Sequence, residues 1–406
     1  MIDLKKHTNI ALGYFFLVGL LGVFLRFFFV IPIPANFRYV VHSHSHIALL
    51  GWVYIALTTL IYKMYFSEAG FGKIYKRIFW FTQITLVGML VTFPFTGYAL
   101  FSIIFSTLFL IASYFMAWFI LKKTPPPFKN TYSFKLIRAS LWYMVISSIG
   151  PWAIGGVMAT LGNTSIWYKL SIYFYLHFQY NAWFILALLG IFFYFMEQQN
   201  LKPQKEVFKS FFWHLNAAVV LGFFLSVLWT KPHWIYYVLG GLGAILQITA
   251  FVKFWKIVIP FWKRLRFSPF FKLLLSIAGI VLIFKLLLQL LSAIPWFANL
   301  AFSFPDFVIG YLHWVFLGVV TISLLAFLSH TRLLQLPKWI FWLYFAAFLM
   351  TETLIFYKGT VTWLELPLFG DYFRLLAYSS IFLPLSAFLL LLRNILTKSQ
   401  TSAKLD

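Results

Sequence analysis

The chain has 406 residues, of which 62% are hydrophobic and only 10% charged, at a mean hydropathy of +0.89. That balance excludes a water-soluble globular domain and leaves an integral membrane protein whose main partner is the lipid bilayer. The formal charge of +23 does not make it a nucleic-acid binder, because a basic patch needs solvated surface and most of this surface must face lipid.

Apolar runs of about twenty residues cross a hydrocarbon slab ~30 Å thick at ~1.5 Å per residue, and runs of that length predict twelve transmembrane helices. The first, 9-31, follows Lys5 and Lys6; it is too long for a signal peptide and lacks a small-residue cleavage site, so it is expected to remain as a helix. The second, 42-64, opens on His42, His44 and His46, and the third and fourth cover 77-97 and 99-121. Thr124-Pro125-Pro126-Pro127 marks a rigid turn before the fifth, 136-160. The sixth, 168-195, carries His177, Gln179 and Asn181, and the seventh, 209-230, stops just before His233. The eighth covers 234-255, and the ninth, 271-294, contains Lys285. The tenth, 306-329, holds Tyr311 and His313; the eleventh, 338-357, holds Glu352; the twelfth covers 375-393. No intervening segment is long enough for a soluble domain and no long-period repeat stands out. Residues 1-406 therefore read as one polytopic domain, an all-α twelve-helix membrane bundle.

Cytoplasmic loops collect Lys and Arg, and here the cations alternate cleanly. One side carries 25 of the 32, from Lys5 and Lys6 through the Lys122 to Arg138 and Lys253 to Lys272 groups to Arg393, Lys398 and Lys404. The other has only Arg38, Lys169, Lys231, Lys358 and Arg374. Both termini are expected to be cytoplasmic, in a multi-pass protein of the inner (cytoplasmic) membrane.

Without cysteine the chain excludes disulfides, thiolate zinc and iron-sulfur sites, thiolate-ligated or covalent haem, and cysteine-bridged copper. Any metal must use histidine or oxygen ligands. Of nine histidines, His7, His214 and His330 fall at cytoplasmic ends, whereas His42, His44, His46, His177, His233 and His313 all fall in the outer half of the membrane, on four helices. Imidazoles converging in depth point to a b-type haem. Residues two apart on a helix point roughly 200° apart, so His42 and His46 share a face while His44 points the other way. Either His44 or His46 serves an iron; both cannot serve the same one.

These residues resemble subunit I of the haem-copper oxidase superfamily, closest to its cbb3-type oxidase and nitric oxide reductase branches. That family is a twelve-helix bundle with ligands on helices two, six, seven and ten, the same ordinals that carry the outer histidines here. The run from His44 to Gly51 is similar to the family's helix-two histidine and the small residue seven positions on. Gly310 to Gly318 looks like its G-H-x-H-x-x-x-L-G run, with His313 in the second histidine's place and Tyr311 in the first's. The helix from His177 past Gly190 resembles the one with the first copper ligand. Trp229-Thr230-Lys231-Pro232-His233-Trp234 looks like W-x-x-P-H-H with its last histidine replaced.

The resemblance implies a low-spin bis-histidine haem b on His44 and His313, with Arg38 on the propionates. It also implies an eroded binuclear site: His177 and His233 for copper, and Tyr311 as the only group in place of the second haem's ligand. Whether that second haem and the copper bind is left open, and the family's redox tyrosine position is Val227. Glu352 and Lys285 read either as a pair, with each other or with backbone groups, or as a short proton path.

Three functions are compatible with these residues: reduction or handling of oxygen or nitric oxide; a low-spin haem relay or gas sensor; and a copper or haem transporter. In the first two, electrons come from quinol or from a separate cytochrome or electron-donor subunit.

Overall fold

A computed structural model describes residues 2–397, so Lys398 and Lys404 of the basic C-terminal group lie outside the described residues. The described residues are helical without strands, and twelve helices are long and apolar enough to cross a membrane. They are α1 (Leu4–Phe27), α2 (Phe37–Phe66), α3 (Gly72–Thr96), α4 (Leu100–Lys123), α5 (Tyr132–Thr160) and α6 (Ile166–Gln198). They continue with α7 (Lys205–Thr230), α8 (Trp234–Trp262), α9 (Pro269–Leu291), α10 (Pro305–His330), α11 (Lys338–Trp363) and α12 (Tyr372–Leu396). All twelve expected runs are present in order, and the protein is a multi-pass membrane protein.

Most helices begin several residues before their hydropathic run. The run marks only the hydrocarbon slab, while the helix continues into the headgroup layer, where Lys5, Lys6 and Lys205 can carry apolar stems and charged tips. At its C-terminal end α1 stops four residues early, at Phe27, before Pro32 and Pro34.

Where the sequence reads as one domain, the helices group into two compact units. The first draws on residues 2–116, Leu324–Leu354 and 368–397, the second on Ala117–Ser323 and Ile355–Pro367. In the first, α1 packs on α12 so closely that a Cβ on Gly19 would stand 2.9 Å from Cβ of Pro384. The N-terminal end of α1 and the C-terminal end of α12 are tied together. Lys5 Nζ donates to the Thr397 carbonyl, and Asn394 Nδ2 donates to Asn9 Oδ1 at 2.6 Å and to the Leu333 carbonyl at 3.1 Å.

In the second unit Glu197, at the end of α6, caps the start of α5. Its carboxylate accepts from the Tyr132 backbone N–H at 2.7 Å and from Ser133 Oγ at 2.5 Å, placing an anion where a helix N-terminus has orphan donors. Helices α7 and α8 cross backbone to backbone, since a Cβ on Gly243 would collide with the Gly222 nitrogen. Replacing Gly243 by Val should therefore lower stability by about 1–3 kcal/mol through overpacking. Gly279→Ala, with nothing within 4 Å of its new Cβ, should be neutral or stabilising. Thermal unfolding of the detergent-solubilised chain compares the two.

Candidate functional site

Three helices depart from α geometry in the same way. In α2 the segment Ile47–Val53 is π-helical, in α6 Phe178–Phe184, and in α10 Trp314–Thr321. Each begins on the residue after a histidine: His46, His177 and His313. These helices are also the most buried, with 89, 94 and 67% of their apolar stretches inside against at most 50% for the other nine. The wound-out segments thus recur every fourth helix, a structural repeat that the sequence does not display. A π turn admits an extra residue, rotating the remainder of the helix by about 100° relative to an uninterrupted α-helix, and such turns concentrate at functional sites.

On α2 the two histidine faces separate as the i, i+2 spacing requires. His44 faces α1, where its Nδ1 donates to the Val18 carbonyl at 3.0 Å. Gly22, one turn on, makes room for the ring: a Cβ there would come within 3.1 Å of His44 Cε1. Gly51, seven residues beyond His44, is small because the Tyr14 ring of α1 fills its place, 2.8 Å from where a Cβ would be.

His46 and His42 face α3 instead. The His46 ring stacks on Phe93 at 4.5 Å, its Nδ1 donates to the His42 carbonyl at 2.8 Å, and the His42 ring meets Tyr98 edge-on at 4.6 Å. In both His44 and His46 the carbonyl fixes the proton on Nδ1 and leaves the lone pair on Nε2. That tautomer is the one an imidazole ligating haem iron through Nε2 needs. Arg38 lies in the first turn of α2, exposed, and forms no ion pair among the described residues.

In the second unit Tyr311 meets the Tyr180 ring edge-on at 6.2 Å, and Tyr180 also contacts Phe316 at 5.9 Å. His313 is half-buried, and the neighbouring Trp314 donates its indole N–H to the Val281 carbonyl of α9 at 2.9 Å.

His177 is fully buried and hydrogen-bonded at both ring nitrogens. Nε2 donates to the Val219 carbonyl of α7 at 2.8 Å, and Asn181 Nδ2 donates to Nδ1 at 3.2 Å. The Val219 carbonyl is available because α7 tightens at that point. Phe223 opens a 3₁₀ segment (Phe223–Thr230), and its N–H bonds to Val220 and Leu221 instead of to Val219. Lys285 is also fully buried. It donates to Gln289 Oε1 one turn on, at 2.5 Å.

The two histidines of the expected copper pair are seated differently in the fold. The His177 ring lies 3.5 Å from where a Cβ on Gly222 would stand, level with the Gly222–Gly243 crossing. His233 is exposed at the very start of α8, ten residues before Gly243 and therefore about 15 Å along that helix. Both ring nitrogens of His177 are engaged within the protein, by Val219 and Asn181. Among the described residues no group of three or more His, Asp or Glu side chains could hold a metal.

No protein-family model matches the chain, and no curated protein is significantly similar to it.

The sequence reading missed Val18, Gly22 and Val219. None carries chemistry of its own, and only the unpaired small residue Gly22 offered a signal. Asn181→Ala would leave the buried Nδ1 of His177 without its donor and should cost about 1–3 kcal/mol, read as a lower unfolding midpoint in detergent. An unchanged midpoint would show that the bond contributes nothing.

Proposed function

We propose that the protein is a membrane b-type haem electron-transfer protein related to haem-copper oxidase subunit I, without that family's copper-dependent gas-reducing centre. The observation that carries this reading is the seat of His44. Its proton is held by the Val18 carbonyl, its ring is admitted by Gly22, and its Nε2 lone pair has the tautomer for iron. The resemblance supplies the second axial ligand, His313, and Arg38 for the propionates. The bound haem would supply one-electron transfer. The chain's own residues hold the imidazole tautomer and fix the ring's direction, through the Val18 carbonyl and the space at Gly22. His46 is the alternative to His44, and Tyr311, against Tyr180, is the only candidate ligand for a second haem. Engagement of both His177 ring nitrogens within the protein supports a relay over oxygen or nitric oxide reduction, with electrons received from quinol or a separate donor protein.

A dithionite-reduced minus oxidised spectrum, with haem and copper measured per chain, is expected to show one haem b and no copper. His313→Ala and His44→Ala should each abolish the low-spin α-band, whereas His214→Ala should leave it intact. Gly22→Val, which pushes on the His44 ring without touching a ligand, should reduce haem occupancy. Protein purified without haem, or a band that survives loss of His313, would overturn the assignment.

Both termini are proposed to face the cytoplasm of the inner membrane, a reading supported by the cation asymmetry. The absence of native cysteine makes the test direct. A cysteine at Asn163 should react with an impermeant maleimide in intact cells, and one at Asn130 only after permeabilisation; the reverse pattern inverts the topology.

A further inference from the structure

A cavity of about 440 Å³ opens within the second unit at the cation-poor end of α5, α6 and α7, and neither the haem reading nor the histidines account for it. Its long wall is the 3₁₀ segment of α7. With three residues per turn, positions three apart stack in one column, and Phe224, Val227 and Thr230 form such a column along the cavity. An α-helix would have carried successive members of that set round to another face. From Phe223 to Thr230 this wall of the slot runs about 14 Å at ~2 Å per residue, long enough to lie along an extended acyl segment.

The chemistry of the slot is almost wholly hydrocarbon. Of its three hydroxyl-bearing residues, which include Tyr236, two turn their protons back onto their own helices, Thr230 Oγ1 to the Val227 carbonyl at 2.8 Å and Ser171 Oγ to the Trp167 carbonyl at 2.8 Å. No ionisable side chain that could exchange a proton with a quinol ring lines it, apart from a tyrosine at the mouth, Tyr236. Aromatic and branched side chains surround a volume suited to a flexible chain.

The mouth is different. Thr230 and Pro232 both line it, and between them Lys231 is held in the left-handed region at φ 53, directly before a proline, a conformation that costs a non-glycine residue of order 1–3 kcal/mol. Lys231 is exposed and stands in the chain between two residues that line the apolar cavity. Of the few cations at this end of the helices, Lys358 is paired with Asp306 at 3.0 Å and Arg374 with Asp371 at 3.4 Å, while Lys169 lies over the rings of Trp229 and Phe302. Lys231 has no carboxylate partner among the described residues.

We propose that the slot is a binding site for one acyl chain of an anionic phospholipid whose phosphate is held by Lys231. The apolar length selects the chain, and the single cation at its mouth selects the headgroup. A lysine at a membrane surface favours an anionic lipid by about fivefold, the preference that one cation should confer here.

Native mass spectrometry of the full-length protein in detergent, supplied with equal phosphatidylglycerol and phosphatidylcholine, tests the site. The wild-type chain should retain one phosphatidylglycerol with about fivefold preference. Lys231→Gln should bring the preference close to one while keeping a bound lipid, and Val227→Trp, which fills the slot, should abolish retention of both. Equal retention of the two lipids by the wild type, or undiminished retention by Val227→Trp, defeats the proposal. So does displacement of the lipid by a menaquinone analogue with no dependence on Lys231. Should the tryptophan variant fail to fold, a phosphatidylglycerol with a photoreactive acyl chain decides the matter in the wild-type protein. Its cross-links should concentrate in Phe223–Pro232, and labelling spread evenly over the lipid-facing helices counts against the site.

Discussion

Inside a bilayer no water answers a polar atom, so each one must be answered by the protein itself, and this constraint shapes the whole molecule. Helices satisfy the backbone almost completely, which leaves few acceptors for buried side chains. The histidines obtain theirs from the main chain: Val18 for His44, His42 for His46 and Val219 for His177. In the last case the acceptor exists because α7 changes from α to 3₁₀ geometry four residues later. The same change produces the column of side chains along the slot. One local shift in hydrogen-bond pattern thus meets the needs of a buried imidazole and opens a cleft toward lipid.

The fold was legible in the sequence because the membrane imposes a length and a polarity that can be read from hydropathy alone. Each of the twelve runs became a helix, and the helical period correctly set His44 apart from His42 and His46. The site was legible only in part. Sequence spacing assumes that 3.6 residues make a turn, and that assumption fails in the π segments directly after His46, His177 and His313. It also says nothing of depth between helices. His177 and His233 both read as outer-half histidines, yet one ring is sealed beside Gly222 and the other is exposed at the start of α8. The acceptors were invisible because any residue has a carbonyl.

The histidines of α2 and α6 are seated differently. His44 is placed against α1 by the Val18 carbonyl and by the space at Gly22, with one ring nitrogen held by the main chain. His177 is held at both ring nitrogens, by Val219 and Asn181. A ring held by two internal bonds packs and stabilises without a metal. In this chain that position belongs to the architecture of α6 and α7.

The clasp between Lys5, Asn9, Asn394 and Thr397 bears on how the molecule is made. The first helix leaves the ribosome long before its partner α12 exists; at ~5–20 residues per second the interval for some 370 residues is on the order of 20–70 s. Throughout that time the Gly19 face of α1 lacks the Pro384 surface it closes on. Insertion must therefore shelter an incomplete assembly until the last segment arrives, and loss of the final helix would be felt at the N-terminus.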